Sequence, residues 1–351
     1  METLPIVWFV AIAVLWIGFL LLEGFDLGVG MHMLLSARGD RAAKENDRRV
    51  MLNTIGPVWD GNEVWLITAG AALFAAFPMW YASLFSALYV PLTITLLALI
   101  ARAVSIEYRG KMADPRWAAF WTWALGVGSL VVAFCIGAAL AITSTGLPID
   151  ANGDRVGHPF VWLTPPAVIG GLAVVGFALV HGATFLALKS DGPVRERAGR
   201  FAATWAPLCL APAAVWALWV QFAQGGTALS WSLVALAVAG AAIGWISARG
   251  RRERLAFVGF ATFLVGGAGA IFAAMFPNVL PSTLDPAHSL TVWNAASGTY
   301  TLTVMTVVAA FGLPLVIAYQ AWSYWIFRRR ITPGAIPDAH GFVPAILRAK
   351  D

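Results

Sequence analysis

Asp60, Asn62 and Glu63 stand near the start of a membrane-length apolar run, Asn53–Pro78, with Trp59 and Trp65 on either side of them. A carboxylate inside a bilayer costs about 2.5–3.5 kcal/mol on insertion scales, so it persists where it has a partner or a task. Asp60 and Glu63 are three residues apart and share a face if the run is helical. Other ionisable residues sit at a matching depth. Glu23 and Asp26 fall late in the first apolar run, Arg102 and Glu107 at the end of the third, and His181 late in the fifth. With alternating helix directions, all of them gather toward one membrane face. One reading is a proton or cation route opening on that face, a use such groups often have. The other is Arg102 paired with one acid, while the remaining groups cap helices or reach headgroup water. Glu107, closest to the interface, favours the second reading.

Other chemistry finds little support. A haem needs axial ligands, usually His with His or Met. His158, His288 and His340 lie in loops or the tail, and His32 ends the first run, leaving only His181 well inside a span. A lone histidine in an apolar helix is more often hydrogen-bonded to a neighbour than ligated. No pair has metal-ligand spacing, and P-loop, GxSxG and dinucleotide patterns are missing. We therefore expect no catalytic residue, metal site or cofactor-binding residue in this chain. Cys135 and Cys209 read as small core residues. Their depths differ by about 13 Å at 1.5 Å per residue, too far for a disulfide.

The elements that must position these groups are membrane helices. Of 351 residues, 60% are hydrophobic and 12% charged, with 17 tryptophans. That composition belongs to a polytopic membrane protein. The tryptophans read as interfacial anchors. Nine spans can be cut, roughly 5–35, 54–77, 80–106, 117–142, 160–187, 201–222, 229–248, 255–276 and 300–327, followed by a tail, 328–351. All must be helical, because lipid cannot satisfy open backbone groups. Of the 23 basic residues, Arg155 alone falls on one side of the alternating loops. The basic side is cytoplasmic by the positive-inside rule, which puts the N-terminus outside and the C-terminus inside. The charge of +5 reflects these loops and does not suggest nucleic acid. The acidic start and long first span argue against a cleavable signal peptide. Pro91, Pro207, Pro212 and Pro314 read as kinks, and Gly24 with Gly28 as a GxxxG pair. Gly18–Gly24 (GFLLLEG) is echoed by Gly176–Gly182 (GFALVHG), four helices later and in the same direction. The echo fits two parallel four-helix units plus one further helix.

Three stretches carry a resemblance: Glu23–Gly30 (EGFDLGVG), Trp59–Gly70 (WDGNEVWLITAG) and Phe74–Pro78 (FAAFP), with Arg102 and Glu107-Tyr108-Arg109 following in register. Together they resemble subunit II of the cytochrome bd-type quinol oxidases, densely to about residue 125 and more thinly beyond. The resemblance implies a single all-α membrane domain of nine helices, as two four-helix bundles plus one peripheral helix. The bundles would be helices 1–4 (about 5–142) and 5–8 (about 160–276), with helix 9 at about 300–327. It implies a complex in the bacterial cell membrane that oxidises quinol and reduces dioxygen to water. Protons would come from the cytoplasm without pumping. The haems, of b and d type, would lie in a homologous subunit I and none in this chain. It allows for a bound structural quinone, lipid and small accessory subunits. Carried over by position, Asp26, Asp60 and Glu107 become proton-path or structural acids, supported by Glu23, Glu63, Arg102 and His181. Trp65 becomes the oxygen-route candidate. Spans one to three, with Gly24 and Gly28, are expected to face subunit I. The competing readings are a stand-alone secondary transporter with an intramembrane acidic ion site and a self-sufficient haem protein.

Overall fold

The computed structural model describes residues 3–35 and 37–332. Most of the expected tail, with His340, Arg348 and Lys350, lies outside the described residues. In chain order the helices are α1 (Thr3–Leu35), α2 (Arg41–Ile55), α3 (Trp59–Ala76), α4 (Pro78–Ala87) and α5 (Tyr89–Tyr108). Then come α6 (Pro115–Thr145), α7 (Pro165–Lys189), α8 (Gly192–Ala223), α9 (Ala228–Arg249), α10 (Glu253–Met275) and α11 (Thr299–Ile326). A two-stranded antiparallel hairpin, β1 (Asn278–Leu280) and β2 (Leu290–Thr291), precedes α11.

Among the described residues, eight helices are long and apolar enough to cross a membrane: α1 and α5 to α11. The expected second span, α3, is not among them. Asp60, Asn62 and Glu63 occupy its first turns, and its 18 residues reach about 27 Å at 1.5 Å per residue, just short of a hydrocarbon core of about 30 Å.

The expected third span, 80–106, is two helices. Pro78 opens α4, and Phe77 before it is non-helical (φ −134°, ψ 70°), since a following proline disfavours the helical region. At the break, Pro91 has no N–H to offer the Ala87 carbonyl one turn earlier, and the chain turns at Leu88 (φ −100°, ψ 20°). Pro91 thus marks a helix start and not a kink, whereas Pro207, Pro212 and Pro314 lie inside α8 and α11.

An amphipathic helix, α2, occupies what the sequence presented as a basic loop. Asp40 caps it by accepting from the Ala43 N–H at 2.8 Å. Its buried residues, Asp47, Val50, Met51, Thr54 and Ile55, recur at helical spacing. Glu45 pairs with Arg109 just past α5 at 2.7 Å, and Asp47 pairs with Arg197 on α8. The helix therefore braces the arginine-rich end of the molecule.

α1 packs on α3, α6 and α7; α5 packs on α6; α7 packs on α8 and α10; and α9 packs on α10 and α8. The echoed glycines explain the closest contacts. A Cβ at Gly18 would fall on the Trp65 ring of α3, and one at Gly176 on the Cys209 carbonyl of α8. Each repeat's first glycine therefore seats the helix that follows it in the echo. A Cβ at Gly28 would fall on the Ala178 carbonyl, and one at Gly182 would lie 2.6 Å from Gly28 Cα. The Gly24–Gly28 pair thus packs on α7 of the same chain, correcting the expectation that it faces another subunit. Phe177 fills the space in front of Gly24. Cys135 is buried and Cys209 half-buried, and both are free thiols.

α11 stands apart, with Leu302 its one buried residue. Polar ties hold it instead: Trp8 Nε1–H donates to Thr306 Oγ1 at 3.0 Å, and just beyond its other end the Ile331 N–H donates to the Lys189 carbonyl at 2.8 Å. The loop preceding it caps α3, with Ser297 donating through N–H to the Ala76 carbonyl at 2.8 Å and through Oγ–H to that of Ala75 at 2.6 Å.

Candidate functional site

Four of the ionisable groups expected to share a depth, Glu23, Asp26, Glu63 and Arg102, meet where α1, α3, α5 and α6 converge. Arg102, on α5, is fully buried. Its Nη1 lies 2.6 Å from Glu23 Oε1 on α1 and 2.9 Å from Glu63 Oε1 on α3. Its Nε–H donates to Ser129 Oγ on α6 at 3.0 Å, and Ser129 in turn donates to the Leu125 carbonyl at 2.7 Å. The guanidinium is thereby fixed by three neighbouring helices. Its stem passes Gly128, where a Cβ would sit 2.9 Å from Arg102 Cγ and 3.0 Å from the Ala98 carbonyl. Neither Glu23 oxygen has a hydrogen bond among the described residues, so the Arg102 contact is an ion pair without hydrogen-bond alignment.

Asp26, one turn below Glu23 and also fully buried, accepts at Oδ2 from Asn62 Nδ2–H at 2.6 Å. Asn62 is the hub of the site. Its Oδ1 accepts from Tyr324 Oη–H at 2.7 Å and from Gln320 Nε2–H at 3.0 Å, both on α11. Two donors on one side and a carboxylate on the other fix which way the amide points. Gln320 Oε1 accepts from Trp65 Nε1–H at 2.8 Å. The network therefore runs Trp65–Gln320–Asn62–Asp26, with Tyr324 as a second branch.

The structure divides the predicted site residues. Glu23, Asp26, Glu63 and Arg102 come together, and Arg102 pairs with two acids where one was expected. Asp60 shares the α3 face with Glu63 but is exposed, while Glu63 side-chain exposure is 19%. Glu107 is exposed on the last turn of α5 and stays outside the cluster.

His181 is buried but separate. Its ring lies between Phe257 and Phe177, at centroid distances of 4.5 and 4.9 Å, and its Nε2–H donates to the Leu21 carbonyl at 3.0 Å. His32 makes the reciprocal tie from α1, to the Leu179 carbonyl at 2.9 Å. The two histidines thus clamp α1 to α7, the neighbour-bonded role expected of a lone intramembrane histidine.

Gln320, Tyr324 and Ser129 were missed by reading the sequence. Gln320 and Tyr324 are four apart on one helical face of an otherwise apolar span, which is the signal that was present. No group of three or more His, Cys, Asp or Glu with metal-holding geometry occurs among the described residues.

Chemically, the site combines three carboxyls, one guanidinium, an amide and a phenol. If all three carboxyls were ionised, one positive charge would face three negative ones in a low-dielectric interior. Such a site is suited to hold and exchange protons, with Glu63 and then Asp60 leading outward from it.

Comparison with known proteins identifies the family. A family model described as cytochrome bd terminal oxidase subunit II matches residues 4–327. The chain is 38% identical over 336 residues to the cytochrome bd ubiquinol oxidase subunit 2 of Bacillus subtilis, covering 95% of this chain and 98% of that one. It is 35% identical to the cytochrome bd-I ubiquinol oxidase subunit 2 of Escherichia coli, covering 94% and 96%. The fold is similar to a chain in the structure of the bd oxidase from Geobacillus thermodenitrificans, with a TM-score of 0.75, 19% identity and coverage of 93% and 99%. With a family model and curated relatives matching nearly end to end, this chain belongs to the cytochrome bd terminal oxidase subunit II family.

Proposed function

We propose that this chain works as the non-catalytic second subunit of a complex that oxidises quinol and reduces dioxygen to water. The haems b and d would reside in a subunit I partner and none here. The observation that carries the more specific part is the buried group of Glu23, Asp26 and Glu63 around the single guanidinium of Arg102, continued outward by exposed Asp60. We assign this group to a proton path from the cytoplasm that delivers consumed protons without pumping. Asp60 is its entrance, Glu63 the intermediate group and Asp26 the inner acid, with Asn62 and Tyr324 orienting Asp26. Glu107 belongs to the surrounding surface charge.

In the membrane we count nine crossings, the eight apolar helices and α3. They form two four-helix units, α1 with α3, α5 and α6, and α7 with α8, α9 and α10, plus α11. We place the N-terminus outside and the C-terminus inside a bacterial cell membrane on the loop charges. Subunit I would cover the outward faces of α3 and α5, where Ile67, Phe74, Leu96 and Leu97 are exposed. An apolar cavity of about 870 Å³ beside Leu66 and Ile67, next to Trp65, supports an oxygen route or the isoprenoid chain of a bound quinone. Small accessory subunits are compatible with the exposed surface of α11. A stand-alone transporter is not favoured, because the family match spans nearly the whole chain.

The test is Asp26→Asn in the assembled complex. Quinol oxidase turnover should fall at least tenfold with haem content unchanged. Full turnover with full haem content would remove Asp26 from any proton path. A reduced-minus-oxidised spectrum of this chain alone should be featureless, and a stoichiometric b-type band would overturn the haem assignment.

A further inference from the structure

At the arginine-rich end of the molecule, α8, α9 and α10 enclose a polar recess of about 430 Å³. Five arginines line it, Arg195, Arg200, Arg249, Arg251 and Arg252, against three acids, Asp191, Glu196 and Glu253. The acids are already engaged. Arg195 lies 2.6 Å from Glu253 and 3.5 Å from Asp191, Arg200 lies 3.6 Å from Glu196, and Arg330 adds a contact to Glu253 at 3.7 Å. Arg249, Arg251 and Arg252 make no ion pair among the described residues. Arg251 holds φ of 55°, the one non-glycine residue in the left-handed region among those described. That conformation turns the chain sharply between α9 and α10 and brings the three arginines around one opening.

A second cavity, of about 480 Å³, lies on the same α8–α9 groove toward the membrane interior, and its lining is almost wholly apolar. The two are stacked one helical turn apart. On α8, Ala206 lines the apolar cavity, and Ala202 and Ala203 line the polar recess; on α9, Trp245 lines the first, and Ala248 and Arg249 the second. One turn is about 5.4 Å, roughly the separation between a phosphate and the start of an acyl chain. Trp245 stands at the junction. Its Nε1–H donates to the Ala203 carbonyl at 2.9 Å, and the Arg249 guanidinium lies 4.5 Å over its ring. The Arg249 charge is thereby held at the point where the polar recess meets the apolar one.

We infer that this groove binds one anionic phospholipid, with its phosphate among Arg249, Arg251 and Arg252 and an acyl chain in the apolar cavity. Charge decides the class of ligand. A neutral quinone ring brings no charge to set against three guanidinium groups, whereas a phosphodiester brings one and accepts from their fixed forks. The apolar cavity needs a chain and not a polar head, since Trp216 and Trp245 on its wall already spend their N–H groups on Ser144 Oγ and the Ala203 carbonyl. The inference does not rest on the proton-path reading.

The experiment is native mass spectrometry of the intact, detergent-purified complex after incubation with equal amounts of 16:0/18:1 phosphatidylglycerol and phosphatidylcholine. One phosphatidylglycerol should be retained, at least tenfold over phosphatidylcholine. Arg251→Gln with Arg252→Gln, on an exposed turn, should reduce its retention about tenfold, and Ala241→Phe, which fills the chain cavity, should do the same. Millimolar inorganic phosphate should not displace it. Equal retention of the two lipids, unchanged retention in the double variant, or full displacement by inorganic phosphate would overturn the proposal. So would a quinone that is lost in Ala241→Phe while phosphatidylglycerol stays bound.

Discussion

Replacing Arg102 by glutamine should destabilise the chain by about 3–5 kcal/mol, the cost of leaving a buried charge without its partner. The magnitude belongs mainly to Glu23. Its side chain is fully buried, its Arg102 contact is 2.6 Å, and neither of its oxygens has a hydrogen bond among the described residues. Glu63 adds less, because at 19% exposure it can regain some water. Glutamine keeps the stem past Gly128 and can place an amide N–H where Arg102 Nε donates to Ser129, while the charged end of the guanidinium is removed. Equilibrium unfolding in mixed micelles, followed on the assembled complex, reads the loss. The decisive comparison is the double variant Arg102→Gln with Glu23→Gln, which removes the orphaned charge. It should recover at least about 2 kcal/mol relative to Arg102→Gln alone, a coupling of the size found for interacting neighbours. If the double variant instead lost the sum of the two single-variant costs, Glu23 and Arg102 would not be a coupled pair and the account of the site would be wrong.

Gly28→Leu should prevent α1 from seating on α7, since even a Cβ there falls on the Ala178 carbonyl. The expected outcome is loss of the folded chain itself in detergent extracts, and a well-folded chain that merely detaches from its partner would contradict it. Asp60→Asn should leave assembly and thermal stability within about 0.5 kcal/mol of wild type, as for an exposed substitution away from buried features. Oxidase turnover of that variant should fall if Asp60 is the entrance to the path, and unchanged turnover would place the entrance elsewhere.

Much of this molecule was legible in its residues because membranes impose a one-dimensional rule. A chain in hydrocarbon must satisfy its backbone within each helix, so apolar runs give the spans. Known spans then give depth at 1.5 Å per residue, and depth alone groups Glu23, Asp26, Asp60, Arg102, Glu107 and His181 toward one face. The GxxxG pair and its echo in the later span signalled close helix contacts. Depth says nothing about rotation around a helix, and that is where tertiary structure decided. It turned Asp60 and Glu107 to the surface and Asn62 inward, and it sent Gly28 against α7 of the same chain instead of another subunit. It brought Gln320 and Tyr324 from the far end of the sequence to Asn62, a closure across more than 250 residues that no local pattern encodes. It also made a helix of α2, whose polar stretch became amphipathic only once Val50, Met51 and Ile55 had a surface to bury against. The sequence by itself determined which groups share a depth; packing determined which of them touch, because contact depends on the facing of helices far apart in the chain.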